Sequence, residues 1–288
     1  MKSIRIEDFD LCTSIESGQI FRYVHTPDGY LVHAREKIFW VRQRGHELFF
    51  DGVDEEFMVS YFGLGQDYPN IMTTLRKDRT VDAALKRYWG LRILQQDPWE
   101  CLVSFLCSSA KSIPQIRVIL ERLCHAFGEP ITFGNYQGYA FPTEGAFADP
   151  VRLSRLGLGF RAEYLHEVNQ AIGKEYFQGL TCLPYERAKP RLMALPGLGE
   201  KIADCVLLFS LGFSGAFPVD TWIKRGMERV YFDEKRTSPT RIGRFAREYF
   251  GPYAGYAQQY LYHYWRNESP SLQIHSCFEK APPGGEIG

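Results

Sequence analysis

The sequence predicts an α+β fold, in which an N-terminal antiparallel β-sheet domain precedes a larger, mainly α-helical domain. In the first part of the chain, segments rich in aromatic and β-branched residues alternate with short turns, a pattern typical of strands. From about Asp82, apolar residues recur every three or four positions instead, which places them on one face of a helix. Strands followed by a run of helices indicate the α+β class.

Four segments form the predicted sheet, with turns at residues 26–29 and 44–46: QIFRYVH, YLVHARE, KIFWVRQ and ELFFDGV. We assign residues 1–90 to this β-rich domain. Five later segments have helical spacing and define a helical domain over residues 91–270: AALKRYWGLRIL, PWECLVSFLCSSA, PQIRVILERLCHAF, YLHEVNQAIGKEYF and YERAKPRLMAL. Residues 271–288 are assigned to a C-terminal tail, whose last eight residues, APPGGEIG, are expected to be disordered.

The composition is that of a soluble globular protein, with 45% hydrophobic and 24% charged residues among 288. The 34 basic and 34 acidic side chains give no net charge. This excludes a uniformly basic nucleic-acid coat but allows a local basic groove. The seven cysteines are scattered without a C-x-x-C pair, so we expect neither a zinc site nor a disulfide framework. With no leader and no membrane-spanning apolar run, an intracellular protein is expected.

The stretch LPGLGEKIADC predicts a tight hairpin between two helices. Residues 195–199 are too short and too rich in glycine to be helical, whereas a helix begins at Glu200 and ends before Gly212. The backbone N–H groups that start this helix have no partner within it, and they lie at the positive end of its dipole. The hairpin, with Gly197 and Gly199, therefore suits a phosphate oxygen.

Lys201 lies in the first turn of that helix, where a cation is disfavoured. A partly neutral amine there is a nucleophile toward an electrophilic sugar carbon and can form a Schiff base. Without further context, a solvated lysine whose stem covers the hairpin is the commoner explanation. Asp220 follows in FPVDTW, residues 217–222. Its carboxylate could hold an ammonium, accept a proton or stabilise a cationic sugar, and it could also cap a helix.

The pattern L-P-G-x-G-x-K, followed about twenty residues later by P-V-D, resembles the helix-hairpin-helix GPD superfamily of DNA glycosylases. The resemblance implies a helix-hairpin-helix at about residues 190–212 and a GPD-type loop at 217–222, and the lysine is typical of the bifunctional branch. Branches with an iron–sulfur cluster carry four closely spaced cysteines after the aspartate. Here only Cys277 follows Asp220.

Further stretches resemble 8-oxoguanine DNA glycosylase, so that the similarity covers most of residues 10–270: ESGQIFRY, QDPWECLVSFLCSS, LGLGFRAEYL and FGPYAGYAQQYLYHYW. The resemblance implies a bifunctional enzyme that removes 8-oxoguanine from double-stranded DNA and has AP lyase activity. It implies a monomer, in the cytoplasm or nucleoid of a bacterium or in the nucleus of a eukaryote. It implies no metal or organic cofactor, although hairpin carbonyls could hold a structural monovalent cation.

Roles in catalysis and base recognition are implied for six residues. Lys201 attacks C1′ of the damaged nucleotide and Asp220 supports it. The carbonyl of Gly18 accepts the N7 hydrogen that 8-oxoguanine has and guanine lacks, while Gln258 contacts the Watson–Crick edge. Two further side chains, Tyr262 and Cys205, enclose the faces of the base.

The pattern alone leaves plainer alternatives open for each base-binding residue. For Gly18 the alternative is a turn before the first strand. For Gln258 and Tyr262, four residues apart, it is a solvated amide and a core ring. For Cys205 it is a buried structural thiol.

Five positions are candidates for contacts outside the base pocket. Phe160 and Arg161 match the residues that insert into the emptied duplex and contact the orphaned base, although Phe160 could be a core residue. The sequence departs from the family at the other three. Ala110 replaces an asparagine that fills the gap, Gln115 replaces an arginine that contacts the opposite cytosine, and Trp222 replaces a histidine near the backbone. Discrimination of the opposite base is therefore expected to be weak.

Two other functions remain open from the sequence. One is a glycosylase of the same fold that removes another damaged base. The other is a DNA-binding module whose hairpin grips phosphates without catalysis. The lysine–aspartate pair argues against the module, because phosphate binding alone requires neither residue.

Overall fold

The N-terminal sheet consists of five antiparallel strands in the order β1-β5-β4-β3-β2. The computed structural model describes residues 1–173 and 175–268, so the predicted tail and Cys277 lie outside the described residues. The strands are β1 (Lys2–Arg5), β2 (Tyr23–Thr26), β3 (Gly29–Ala34), β4 (Lys37–Arg44) and β5 (Glu47–Asp51). One face of the sheet is fully buried through Val32, Phe39, Val41 and Leu48, as expected when alternate residues of each strand point inward.

The first predicted strand segment, QIFRYVH, is a strand only in its second half. Helix α1 (Leu11–Glu16) precedes it, and the chain from residue 19 to 22 is irregular. Gln19 explains the difference, because its buried side-chain amide donates to the carbonyl of Arg92 and accepts from the N–H of Leu94. These bonds tie the segment to a distant part of the chain instead of to a neighbouring strand.

The prediction of a β-rich region up to residue 90 is wrong in its second half. Strands end at Asp51, and three helices follow: α2 (Glu55–Tyr61), α3 (Tyr68–Leu75) and α4 (Arg79–Arg87). Each begins at an aspartate whose carboxylate accepts backbone N–H groups, namely Asp54, Asp67 and Asp78, which is a common N-cap. The predicted helix through Leu94 ends at Arg87, and Gly90 adopts a positive φ of 92°.

The mainly helical region contains the remaining helices: α5 (Pro98–Cys107), α6 (Ile113–Phe127), α7 (Pro150–Ser154), α8 (Arg161–Ala171), α9 (Tyr176–Thr181), α10 (Tyr185–Met193), α11 (Glu200–Ser210), α12 (Thr221–Tyr231), α13 (Pro239–Phe250) and α14 (Ala254–Glu268). A 3-10 turn at Gly251–Tyr253 precedes α14. The helices share a hydrophobic core whose largest fully buried side chains include Trp99, Phe217, Tyr256 and Tyr260. The α+β prediction is confirmed.

A β-hairpin that the sequence analysis missed joins the two regions. Strands β6 (Pro130–Phe133) and β7 (Tyr136–Tyr139) lie beside the sheet, and the hydroxyl of Tyr136 is 3.2 Å from Nε2 of His33. The buried ion pair between Arg22 and Glu100, at 3.2 Å, links the sheet region to α5 nearby. Burial and the adjacent Arg22 charge lower the pKa of His33 to about 4, so this junction is formed with a neutral imidazole.

None of the helices in the described ranges is long and apolar enough to cross a membrane.

Candidate active site

A cavity of about 1060 Å³ opens where the turn after α1, the end of α5, the starts of α11 and α12, and one face of α14 meet. It brings together side chains and backbone from four separate parts of the sequence, residues 18–21, 105–116, 201–239 and 258–266. All six residues predicted for catalysis and base recognition line it: Gly18, Lys201, Cys205, Asp220, Gln258 and Tyr262.

The hairpin that carries Lys201 connects α10 to α11 as predicted. Gly197 has a φ of +75°, and a Cβ atom there would lie 2.5 Å from the ring of Tyr164, so only glycine fits. Gly199 is the N-cap of α11 and supplies no side chain to the first N–H groups. Both glycines are exposed, which leaves the backbone of the hairpin accessible to a phosphate.

Lys201 is partly buried and extends into the cavity. Its Nζ atom lies 3.2 Å from Oγ of Ser108 and 4.8 Å from the ring centre of Phe105. These contacts exclude the alternative of a solvated surface lysine. Ser108 was not among the predicted site residues, because nothing in its local sequence indicates that the end of α5 meets α11.

Asp220 has the geometry for both of its predicted roles. Its Oδ1 accepts the N–H of Ile223 at 2.8 Å and so caps α12, while the carboxylate also lines the cavity. Burial raises the pKa of Asp220 above its usual range, and the nearby Lys201 and Arg266 charges oppose that shift. The carboxylate thus shares the cavity with two cations that favour its ionised form against the effect of burial.

Gly18 lies in a turn with a φ of +82°, beneath the ring of Tyr262. Gln259 donates to the carbonyl of the preceding Ser17 at 2.9 Å, and Gln19 donates to the Ser17 hydroxyl at 2.9 Å. The turn is therefore held from two sides, and the Gly18 backbone remains at the cavity surface. Gln259 is a second residue that sequence reasoning missed.

Gln258 is only 4% exposed, which excludes the alternative of a solvated amide. Its Oε1 atom is buried and has no hydrogen-bond partner among the described residues. An unpaired buried acceptor is costly in a free protein, typically about 1–3 kcal/mol. In a cavity wall such an atom indicates a position where a ligand supplies the missing donor.

Cys205 and Tyr262 also face the cavity. Burial raises the pKa of Cys205 to about 12, so the side chain is a neutral, polarisable thiol suited to packing. Burial also raises the pKa of Tyr262, and the ring is only partly buried. Tyr262 is therefore a cavity-wall residue and not a core tyrosine.

Comparison with known proteins decides the family. Residues 3–102 match the model of the 8-oxoguanine DNA glycosylase N-terminal domain. An N-glycosylase/DNA lyase of Saccharomyces cerevisiae is 30% identical over 266 residues, which cover 79% of this chain and 70% of the yeast protein. The chain belongs to the 8-oxoguanine DNA glycosylase family.

Solved structures agree with this membership. A Clostridium acetobutylicum 8-oxoguanine glycosylase/lyase, bound to duplex DNA with cytosine opposite 8-oxoguanine, is 30% identical with a TM-score of 0.84, covering 92% of this chain and 98% of that one. A 3-methyladenine DNA glycosylase from Archaeoglobus fulgidus has the same fold at 20% identity, with a TM-score of 0.78 and coverage of 93% and 99%. The fold alone therefore does not determine which base is removed.

Of the two residues predicted to insert into the duplex and contact the orphaned base, only one is accessible. Phe160 is 57% exposed and is not a core residue. Arg161, which the resemblance assigns with Phe160 to contacts in the emptied duplex, is only 4% exposed. Its guanidinium donates to the carbonyls of Leu158 and Ser109. In this state Arg161 is not available to an orphaned base.

The three positions that depart from the family differ in their surroundings. Ala110 is exposed at the cavity rim with a φ of +53°, and Trp222 also lines the cavity. Gln115 lies outside the cavity lining, and its Oε1 accepts the N–H of Ser112 at 3.0 Å as part of a capping box at the start of α6. That Gln115 lies near the base opposite the lesion stays a prediction.

Within residues 1–173 and 175–268, no group of three or more His, Cys, Asp or Glu side chains is arranged to hold a metal ion. The six described cysteines are all free thiols.

Proposed function

We propose that this protein removes 8-oxoguanine from duplex DNA and then cleaves the strand at the resulting site by β-elimination. The observation that carries this function is the convergence of Lys201 and Asp220 with Gly18 and Gln258 in one cavity. A nucleophile and a carboxylate thereby meet two groups suited to the edges of an oxidised purine.

Recognition requires the damaged nucleotide to leave the helix and enter the cavity. The Gly18 carbonyl then accepts the N7 hydrogen of the lesion, whereas guanine would present a lone pair to that carbonyl. The unpaired Oε1 of Gln258 accepts a hydrogen from the Watson–Crick edge, which restores the bond that this buried atom lacks. Tyr262 and Cys205 pack on opposite faces of the base.

The chemical step begins at Lys201. The lone pair of Nζ attacks C1′, the C1′–N9 bond breaks, and the base leaves with the electron pair of that bond and takes up the proton that Nζ loses. Asp220, which shares the cavity with Lys201, stabilises the positive charge that develops on the sugar. Opening of the sugar ring gives a Schiff base between Nζ and C1′. Loss of a C2′ proton then expels the 3′ phosphate, which nicks the strand.

Ser108 and the hairpin support this chemistry. Ser108 fixes the resting position of Nζ at 3.2 Å, and the exposed N–H groups of the hairpin bind a DNA phosphate. Schiff-base chemistry requires no metal or organic cofactor. Hairpin carbonyl oxygens are suitable ligands for a structural monovalent cation, which belongs to the proposal. An enzyme acting on genomic DNA operates inside the cell, in a nucleoid or a nucleus, and we propose that it acts as a monomer.

Borohydride reduction tests the proposal directly. With a duplex that contains 8-oxoguanine, borohydride should trap a covalent protein–DNA adduct. Lys201→Gln should abolish both trapping and base release while lesion binding persists. Lys224→Gln is a matched control at the same cavity, because its ammonium is already paired with Glu228 at 2.7 Å, and this variant should still be trapped.

Each opposite outcome identifies an alternative. An adduct of unchanged yield in the Lys201→Gln variant would show that another nucleophile acts. Release of 3-methyladenine or another base, with 8-oxoguanine left intact, would indicate a glycosylase of the same fold. Tight binding to duplex DNA without release of any base would indicate a binding module.

A further inference from the structure

Arg266 is a cavity residue that neither the predicted site nor the proposed chemistry uses. It follows Gln258 and Tyr262 at intervals of four residues on α14, so the three side chains lie along the same side of the helix. All three line the cavity. Arg266 is thus the third member of a row whose first two members are proposed to contact the base.

The Nη1 atom of Arg266 is buried and has no hydrogen-bond partner among the residues that the structure describes. A buried charged donor without an acceptor is more costly than a neutral one. The guanidinium centre lies 5.9 Å from the ring centre of Tyr262, and the guanidinium also interacts with the Tyr262 hydroxyl, where it opposes the rise in pKa that burial causes. The atom is placed to donate to a group that enters the cavity.

Nη1 lies beside Gly18. A Cβ atom built on Gly18 would be 3.5 Å from Nη1 and 3.3 Å from the Tyr262 hydroxyl. The Arg266 charge also acts on Asp220, whose pKa is raised by burial and lowered by this guanidinium. The donor is therefore located near the backbone that accepts N7–H and within electrostatic reach of the carboxylate that faces the sugar.

The lesion has one acceptor in that position. On an 8-oxoguanine base, N7 is flanked by O6, toward the Watson–Crick edge, and by O8, toward the sugar. Gln258 serves the Watson–Crick edge, whereas the Arg266 charge reaches Asp220, the carboxylate that faces the sugar. This contrast assigns Arg266 to the sugar side of N7, where O8 is found.

We propose that Arg266 is a specificity-determining residue that donates a hydrogen bond from Nη1 to O8 of the flipped base. The inference rests on the proposed function, since it specifies how the same cavity recognises its substrate. Guanine has a hydrogen at C8 and would leave the guanidinium unpaired. Together with the Gly18 carbonyl, Arg266 gives the site two contacts that only the oxidised base can satisfy.

The same bond strengthens during the reaction. When the C1′–N9 bond breaks, the departing base keeps the electron pair, and the negative charge spreads from N9 through C8 to O8. A charge-assisted donor at O8 interacts more strongly with this anion than with the neutral base. Arg266 therefore favours the transition state over the bound substrate, which raises the excision rate itself.

The test compares Arg266→Met with Arg225→Met. Arg225 is exposed at the rim of the same cavity, so its loss removes an equal charge without removing the inner donor. Affinities are measured in the Lys201→Gln background for two duplexes that differ only in 8-oxoguanine or guanine at one position. Arg266→Met should reduce the lesion-to-guanine affinity ratio about tenfold to a hundredfold, as for loss of a charged hydrogen bond. Arg225→Met should weaken both duplexes equally.

Single-turnover excision by otherwise wild-type enzyme gives the second readout. Arg266→Met should slow release of 8-oxoguanine by a similar factor. Arg266→Lys keeps the positive charge on a shorter side chain and should recover part of the lost rate. If Arg266→Met does not fold, Arg266→Lys and Arg266→Gln carry the same comparison.

Equal weakening of both duplexes by Arg266→Met would overturn the inference, because a contact to O6, a phosphate or the protein is common to lesion and guanine. Failure of the wild-type enzyme to release 8-oxoguanine at all would instead refute the proposed function. The two failures are therefore distinguishable.

Discussion

Two walls of the cavity differ in how firmly they are built. The catalytic wall comprises residues 197–205 and 220–222, and the loop wall comprises residues 108–115, which border the cavity, together with the neighbouring turn at residues 157–161, which lies outside its lining. In the catalytic wall, Lys201 lies in the first turn of α11 and Asp220 is the N-cap of α12. In the loop wall, Ala110 and Phe160 are exposed, Arg161 is buried, and the side chain of Gln115 accepts a local hydrogen bond. The predicted catalytic residues thus lie at the starts of helices, whereas most of the residues predicted to contact the rest of the duplex lie in or beside turns.

A buried network holds the catalytic wall in position from behind. Lys189 on α10 donates to Asp204 on α11 at 2.9 Å, and the Tyr185 hydroxyl donates to the same carboxylate at 2.7 Å. Asp204 is 2% exposed, so these bonds are shielded from water and pin the two hairpin helices together. Arg247 on α13 extends the network by donating to the Tyr185 hydroxyl.

The loop wall has a different support. Arg161 holds the carbonyl of Ser109, and Ala110, the next residue, adopts a left-handed conformation that is strained for alanine. The loop wall is thus held by Arg161 and by local backbone hydrogen bonds around a strained residue, whereas the catalytic wall is fixed by a buried side-chain network between helices.

The largest effect is expected in the catalytic wall, at Asp220. Asp220→Asn preserves the shape and the cap on Ile223 but removes the charge that stabilises the cationic sugar. Single-turnover excision should slow by about a hundredfold to a thousandfold, with little change in lesion binding. The matched control is Asp54→Asn, a change of the same kind at the exposed N-cap of α2, which should leave excision unaffected. Excision near the wild-type rate in Asp220→Asn would reduce Asp220 to a cap.

Asp220 also predicts a pH dependence of stability. Because burial raises its pKa in the folded state, the folded protein binds this proton more tightly than the unfolded chain does. The associated stability is present below the ordinary aspartate pKa and is lost as pH rises through the folded value. The melting temperature of Asp220→Asn should therefore exceed that of the wild type at neutral pH, with the difference shrinking toward acid pH. An equal difference at both pH values would contradict this expectation.

A smaller effect is expected in the loop wall, on the choice of opposite base. Neither Ala110 nor Gln115 can reproduce the fork of donors that an arginine offers to an orphaned cytosine. Loss of such a bond is worth about 1.5–3 kcal/mol. The protein should therefore excise 8-oxoguanine opposite A, G or T with about tenfold to a hundredfold less penalty than arginine-bearing relatives. Single-turnover rates on four duplexes differing only in the opposite base measure this.

Gln115→Arg is the matched gain-of-function variant. It should partly restore preference for cytosine, provided that Pro114 allows the longer side chain to reach the gap, and it should cost the Ser112 capping bond. A steep preference for cytosine in the wild-type enzyme would contradict the expectation. It would assign that selectivity to Arg161, which would then have to leave its buried position.

The smallest effect concerns the strain in the loop wall. Asparagine tolerates a positive φ better than alanine, so Ala110→Asn should raise the free energy of unfolding by about 0.5–1 kcal/mol. Ala194→Asn is the control, since Ala194 is exposed but has an ordinary right-handed conformation, and no gain is expected there. Denaturant unfolding of both variants gives the comparison. Equal changes at the two positions would show that the conformation at Ala110 carries no strain.

The sequence by itself determined the features that depend on neighbours a few residues apart. The hairpin after α10, the start of α11 at Glu200 and the cap at Asp220 follow from glycines, helical spacing and a carboxylate before a helix. The family motif placed Lys201, Gly18 and Gln258 in one site. Strands β3 to β5 were also predicted, because alternation and turn residues are local signals.

Only the tertiary structure decided which groups meet across the chain. It placed Ser108 against Lys201, Gln259 against the backbone before Gly18, and the unpaired Nη1 of Arg266 in the cavity wall. It also buried Arg161, and it gave helices to residues 55–87. The physical reason is that a buried polar group takes whatever partner the packed core places within hydrogen-bond distance. That partner is usually far away in the sequence, where no local pattern records it.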